Sequence, residues 1–273
     1  MKLLFSEHKA DHGHYIYSYA IWAFPEAGET PADLFNQGFL PSSRNLDRFY
    51  LCRQLRVNLG KFTPSSENRR VLRKGEGIIF ELIPREKFDY TPKRREFCKQ
   101  YADARFGKEV MGYERLDSLF NNKVTSHVLL FTDASTGAEL GIVTLYLEGK
   151  KLAFYSYAFY DLNYFNKSLG LHMMTTAVNH FADNGFEFIH LGSCYSQSSL
   201  YKTQFDGVEF FNGVRWSGDL KELKYLLERE TKEVTQHLLE SEEYRRLFHE
   251  GGLDKLVVAS GFSVPIVSGK EKS

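Results

Sequence analysis

Cysteine is scarce in this chain: Cys52, Cys98 and Cys194 are the whole complement of 273 residues. An odd, widely spaced set of three offers neither a disulfide framework nor a CxxC zinc pair, and it suits a reducing cytoplasm. Long apolar runs are missing too. The opening Met1-Lys2-Leu3-Leu4-Phe5 meets Ser6, Glu7 and His8 at once, too short for the apolar core of a secretory signal, and no later stretch is long enough to span a bilayer. The expectation is a soluble cytoplasmic protein without a membrane partner. Net charge is also absent, at zero, which argues against a uniformly basic nucleic-acid binder.

That zero hides two blocks. Between Arg44 and Lys74 the basic residues are Arg44, Arg48, Arg53, Arg56, Lys61, Arg69, Arg70, Arg73 and Lys74, nine against the two acids Asp47 and Glu67. The compensating acid lies in the Glu-rich stretch from Asp219 to Glu250. Aromatic residues are plentiful, with 23 Phe and 16 Tyr, and the length suffices for two modest cores. The expected organisation is a basic N-terminal lobe over residues 1–90, a second domain over 91–260 and a tail over 261–273.

Hydrophobic periodicity divides the chain further. Tyr15 to Phe24 reads as a strand, Ala32 to Asn36 as a short helix, and Phe49 to Leu59, alternating apolar with basic residues, as a strand with one buried face. Ser65 is placed to cap a helix carrying Arg69, Arg70, Arg73 and Lys74. Ile78 to Ile83 is a further strand, and Pro92 to Val110 a helix with a basic shoulder of Lys93, Arg94, Arg95 and Lys99. In the second half, His127 to Asp133, Gly141 to Leu147 and Lys151 to Phe159 form an antiparallel meander. A helix from Ser168 to Asn184, stopped by Gly185, leads to a buried strand from Phe186 to Leu191. A charged helix or helix pair spans Leu220 to His249, and Ser268 to Ser273 reads as a frayed end. Three antiparallel strands, a helix and a further strand match the order of the acetyltransferase superfamily core, an α/β (α+β) mixed sheet flanked by helices whose central strands part to admit an acyl donor.

An acetyltransferase that uses coenzyme A cradles pyrophosphate on a Gly-rich helix start. The corresponding turn, Asn166-Lys167-Ser168-Leu169-Gly170-Leu171, keeps one glycine, a weak signature for that cofactor. Other residues point elsewhere. The run Tyr50-Leu51-Cys52-Arg53, then Arg56-Val57, then Phe62-Thr63-Pro64-Ser65 through Arg69-Arg70-Val71-Leu72-Arg73-Lys74, with Gly38-Phe39 upstream, resembles the N-terminal signature of arginyl-tRNA-protein transferases. Ser168-Leu169-Gly170, His190-Leu191-Gly192, Leu200-Tyr201-Lys202 with Phe205, Glu209, and Gly213 with Arg215-Trp216 resemble its C-terminal half in the same order.

The resemblance implies an acetyltransferase-like fold and transfer of an amino acid, Arg in the first place and Leu as the alternative, from charged tRNA to the N-terminal amine of a protein beginning with Asp or Glu, marking it for degradation. An aminoacyl ester is already activated, so alignment of the amine and stabilisation of the oxyanion suffice, and no cofactor beyond aminoacyl-tRNA is implied. Tyr201, Lys202 and Glu209 are the candidate catalytic residues, with Glu209 placed to orient Lys202 or the amine. Arg53, Arg56, Ser65, Arg69, Arg70, Arg73, Ser168, Gly170 and Gly192 are candidates for tRNA or substrate binding, and Tyr155 and Tyr157, on one strand face, for the wall of the acyl slot. The family carries several N-terminal cysteines where this chain has only Cys52, with His8, Asp11, His12 and His14 nearby. A solvated polar segment without metal is expected there, in a divergent member. Cys194 reads as a small buried thiol, since His190 and Leu191 point to opposite faces and no third group orients a nucleophile. Two alternatives stay open: an acyl-coenzyme A N-acyltransferase on the same fold, and a non-catalytic binder of RNA or an acidic partner.

Overall fold

A computed structural model describes residues 1–7, 10–11, 18–232 and 235–262, the side chains of 165–167 excepted. Lys2–Glu7 (β1) and Tyr19–Phe24 (β2) pair antiparallel, Lys2 opposite Phe24. The strand expected from Tyr15 begins at Tyr19, residues 12–17 lying outside the described residues. Pro31–Asn36 (α1) starts where Pro31 supplies a helical φ and the Asp33 carboxylate accepts the Thr30 amide at 2.8 Å. Phe39–Pro41 (β3) and Phe49–Leu51 (β4) complete a four-stranded sheet in the order β1-β2-β4-β3.

Gln54–Asn58 (β5) belongs to a different sheet, so the single strand expected from Phe49 to Leu59 is broken in two. The chain changes partners there: the Cys52 amide donates to Gly38 in the small sheet, whereas the Arg53 carbonyl accepts from Cys194 in the large one. Alternation within β5 holds, with Leu55 and Val57 in the main core, but its polar side is buried as well, because another layer covers it. Ser66–Lys74 (α2) is capped as expected, Ser65 Oγ accepting the Asn68 amide at 3.1 Å. Ile78–Pro84 (β6) precedes Pro92–Phe106 (α3), which stops at Gly107 with φ +98° rather than at Val110. The basic shoulder of α3 is neutralised locally, Arg94 on Glu139 at 2.6 Å, Arg95 on Asp117 at 2.7 Å and Lys99 on Asp103.

Tyr113–Phe120 (α4) leads into the meander His127–Asp133 (β7), Glu139–Glu148 (β8) and Leu152–Tyr160 (β9). Leu169–Asp183 (α5) then crosses to Phe188–Ser193 (β10), followed by Val208–Phe211 (β11) and Trp216–Ser217 (β12). These strands with β5 and β6 form an eight-stranded sheet in the order β12-β11-β5-β10-β9-β8-β7-β6, in which, among the described residues, only β9 and β10 run parallel. A parallel neighbour needs a crossover, and α5 provides it. The mixed sheet flanked by helices is the α+β architecture expected. Both β5 and β6 come from the first 90 residues, so a division at residue 90 cuts through this sheet.

On one face α5 buries Leu169, Met173, Ala177, Val178 and Phe181 against Leu129, Phe131, Val143 and Leu145. Each such side chain contributes roughly 1.5–3 kcal/mol on burial. On the other face Cys98 and Ala102 of α3 and Leu116 and Phe120 of α4 cover Val128, Leu130, Ile142 and Phe159, while Phe35 of α1 and Phe39 and Phe49 of the small sheet pack with Leu152 and Phe154. The charged C-terminal stretch is two helices, Leu220–Arg229 (α6) and Glu242–Phe248 (α7), followed by Asp254–Ala259 (α8). Buried Glu222 ties α6 to α7 and β12, accepting from Tyr244 at 2.6 Å and Ser217 at 2.8 Å. The expected frayed end lies outside the described residues. Among the described residues no helix is long and apolar enough to cross a membrane.

Candidate functional site

The parallel pairing of β9 with β10 lasts for three residues, Leu152 with Phe188, Ala153 with Ile189 and Phe154 with His190, and then stops. Both strands are deformed just beyond that point. In β9 the register with β8 jumps from Leu145–Tyr155 to Thr144–Tyr157, leaving Ser156 as a bulge, and Thr144 Oγ1 accepts the Tyr157 amide at 3.1 Å. In β10 the register with β5 skips Leu191, and Gly192 takes φ +80°. A bulge adds a residue and bends its strand, so two at one level drive the central strands apart.

The cleft that opens holds about 1100 Å³. Its inner walls are Tyr155, Ser156 and Tyr157 of β9 against Leu191, Gly192 and Ser193 of β10. Towards α5 it is lined by Tyr160, Gly170, Leu171, Met174, Tyr201 and Lys202. On the opposite face of the sheet Ser42, Ser43 and Arg44 of the small sheet's loop face Glu114, Arg115 and Ser118 of α4. The cleft is therefore lined from both faces of the sheet.

The bulge also corrects an expectation. Tyr155 and Tyr157 do not share a strand face: Tyr155 joins the core beneath α5, while Tyr157 stacks on Phe159, at 6.3 Å, on the α3 side. An extra residue between them reverses the alternation. Lys202 reaches the lip of the cleft from the 3-10 turn Gln197–Thr203, its Nζ donating to the Ser193 carbonyl at 3.2 Å. Burial lowers its pKa from the usual lysine value. Tyr201 is half-exposed as a residue, and its hydroxyl has its pKa raised, by desolvation first and then by Tyr160. Gly170 lies under the Tyr160 ring so closely that a Cβ would come to 2.7 Å of it. Ser168, just before α5, adopts φ +49° and makes no side-chain cap bond.

Other expected residues lie elsewhere. Glu209 does not orient Lys202; it pairs with Arg56 at 2.8 Å and with Lys61 at 3.3 Å. The Arg56 guanidinium is buried between the rings of Phe188, 4.0 Å away, and Trp216, 3.9 Å away, with Asn36 Oδ1 at 3.2 Å. Arg53 is likewise withdrawn, bonded to Glu230 at 2.6 Å beneath Tyr195. Ser65 is occupied in capping α2. The basic block is thus divided by burial: Arg44, Arg48 and Lys61 are exposed, as are Arg69, Arg70, Arg73 and Lys74 on α2. Arg70 pairs with Glu67 at 2.5 Å, and Arg69 donates to the Pro64 carbonyl. Gly75 at the end of α2 abuts His172 in the first turn of α5, which sets this basic helix beside the α5 side of the cleft.

Cys194 is a buried free thiol whose pKa burial raises, and His190 points the other way, to Gln54 Oε1 at 2.9 Å. Neither has nucleophile geometry. His8, His12 and His14 lie outside the described residues, among which no group of three metal-ligating side chains gathers. Sequence reasoning missed Tyr101, Tyr160, Arg115 and Ser156, all of which line the cleft. Ser156 sits inside an unbroken β pattern, and nothing in that pattern marks the bulge.

The chain is similar to an aminoacyltransferase. An aspartate/glutamate leucyltransferase of Ruegeria pomeroyi is 25% identical over 195 residues, 67% of this chain and 70% of that protein. No family model matches the chain. Among solved structures, L-PGS from Bacillus licheniformis overlaps 52% of this chain and 46% of its own, with TM-score 0.37 and 14% identity. FemX overlaps 52% of this chain and 53% of its own, with TM-score 0.39 and 11% identity. The chain thus spans about half the length of these structures.

Proposed function

We propose that the protein transfers an aminoacyl group from charged tRNA to the N-terminal amine of a protein. The observation that carries this reading is the cleft opened by the paired bulges and lined from both faces of the sheet, which suits a donor and an acceptor meeting from opposite sides. Exposed Arg69, Arg73 and Lys74 beside the α5 side suit a tRNA backbone. The turn from Ser168 to Leu171 keeps one glycine, Gly170, where a pyrophosphate approaching the backbone needs several, which favours tRNA over coenzyme A.

The α5 side of the cleft is aromatic and aliphatic, and Glu114 is its sole lining carboxylate, on the other face of the sheet. A guanidinium side chain would find no anionic partner among Leu171, Met174 and Tyr160, so the donor is leucyl rather than arginyl. Arg44 and Arg115 at the opposite mouth suit an acceptor with an acidic first residue through charge-assisted bonds. Lys202 at the lip of β10 supplies a cation where the ester's negative charge develops. No cofactor is required, because the ester bond already carries the activation.

The test is transfer of labelled leucine and, separately, arginine from charged tRNA to peptides beginning with Asp, Glu or Ala. Leucine on the acidic peptides is the expected result. Absence of transfer from every charged tRNA, with acylation of the same peptides by acetyl-coenzyme A, would replace this reading by the acyl-coenzyme A one.

A further inference from the structure

The last turn of α3 puts a ring and a cation beside the cleft. Among the described residues, Phe106 and Tyr201 are the large apolar side chains that line the cleft and are also well exposed, at 43% and 50%, and both are aromatic. Phe106 carries no polar group. Its ring meets Tyr101 edge-on, centroids 6.1 Å apart, and α3 stops immediately after it at Gly107. The preceding residue, Arg105, is exposed and lines a smaller recess of about 150 Å³ that shares Tyr160, Gly170 and Leu171 with the cleft. Arg94, Arg95 and Lys99 of the same helix are neutralised by carboxylates, whereas the Arg105 guanidinium makes no hydrogen bond or ion pair among the described residues.

A charged tRNA presents the chemistry that such a pair of side chains can meet. Its aminoacyl ester and its terminal base hang from one ribose at an unpaired end, so an ester carbon in the cleft holds the base within a nucleoside's length of it. An unpaired base stacks on an aromatic ring, and the phosphate joined to the same nucleotide is anionic. Consecutive helical residues point about 100° apart, which sends the Phe106 ring to the cleft and the Arg105 cation to the adjoining recess. Asp161 is the one carboxylate lining that recess, and its Oδ1 already accepts from the Asn163 amide and side chain at 2.8 Å.

We propose that Phe106 and Arg105 form the subsite for the terminal nucleotide of the donor tRNA, Phe106 stacking on the base and Arg105 meeting its phosphate. The inference rests on the aminoacyl-transfer reading above. Stacking tolerates any base, because every base has a π face, so the subsite adds affinity and places the ester without selecting a sequence. It also differs in kind from α2. Arg69 and Arg73 act through charge, which salt screens, whereas the Phe106 ring acts without charge, so a salt series separates the two contributions.

The experiment measures filter binding of a leucine tRNA, intact and lacking its 3′-terminal nucleotide, to wild type, Phe106→Ala, Phe106→Trp and Arg105→Gln over a salt series. Phe106→Ala should weaken binding of the intact tRNA by about 5- to 150-fold while keeping the wild-type salt slope. Phe106→Trp should bind it within about 2-fold of wild type, because the larger ring still stacks. Arg105→Gln should lower the salt slope by about 0.7, the single-strand value for one phosphate. The shortened tRNA should bind wild type and Phe106→Ala alike. Equal losses on both tRNAs, or none on either, overturn the subsite and leave the transfer reading intact. Phe106→Ala that loses acetyl-coenzyme A and keeps tRNA also overturns it, assigning the ring to that cofactor's adenine. A wild type that binds no tRNA removes the transfer reading, and the subsite falls with it.

Discussion

Replacing Glu209 by Gln separates a structural carboxylate from a catalytic one. Glu209 and Arg56 are only 15% and 10% exposed, and their closest contact is 2.8 Å. Removing one partner of a buried pair usually costs about 3–5 kcal/mol, because the other charge stays buried without compensation. Here Arg56 keeps Asn36 Oδ1 at 3.2 Å and the faces of Phe188 and Trp216. The rings contribute on the order of 0.5–2 kcal/mol each, and the Gln oxygen still accepts a hydrogen bond. A loss of about 2–3 kcal/mol remains, or a fall of roughly 4–12 °C in melting temperature for a chain of this size. Arg56→Met should cost less, because the thioether packs between two rings and Glu209 keeps Lys61 at 3.3 Å. Urea unfolding of both single variants and the double variant reads the coupling, and leucyl transfer per folded molecule should be unchanged in Glu209→Gln. A variant that unfolds like wild type but no longer transfers would refute the structural assignment.

Two further outcomes follow from the charges. Asp133 accepts from Ser135 Oγ at 2.6 Å and from the amides of Ser135 and Thr136, the largest reasons its pKa falls from 3.8 to about 2. A carboxylate depressed on folding contributes stability that is fully present above its unfolded pKa and is lost as pH falls through the folded one. Asp133→Asn should therefore flatten the urea midpoint between pH 3.8 and about 2, and an unchanged acid slope would contradict this. Arg69→Ala with Arg73→Ala removes two exposed cations one helical turn apart on α2. If both contact phosphates, the slope of log affinity for tRNA against log salt should shrink by about 1.4–1.8; a filter-binding series with the wild-type slope would remove α2 from the interface.

The meander, the capped basic helix and the long amphipathic α5 were legible in the chain because each depends on residues near one another in sequence. Period-two alternation marks β7 to β9, Ser65 marks the start of α2, and apolar residues at helical spacing mark α5. Tyr201, Lys202, Gly170 and Gly192 were found through ordered motifs, and the fold brings them to one cleft. Arg53 and Arg56 were misread as surface cations because burial depends on which layer covers a strand. Here α1, β11 and β12 supply partners from far along the chain, such as Asn36, Glu209 and Trp216.

The sequence by itself determined the meander followed by α5 and β10, the capped start of α2 and the separation of charge into a basic stretch and an acidic one. All of these follow from local backbone preference and hydrophobic period. Only the tertiary structure decided which basic residues face solvent, that Glu209 answers Arg56 rather than Lys202, and that Tyr155 and Tyr157 lie on opposite faces. The reason is that a bulge at Ser156 costs one residue of register against β8, a quantity set between strands and not within either of them. The same shift opens the cleft.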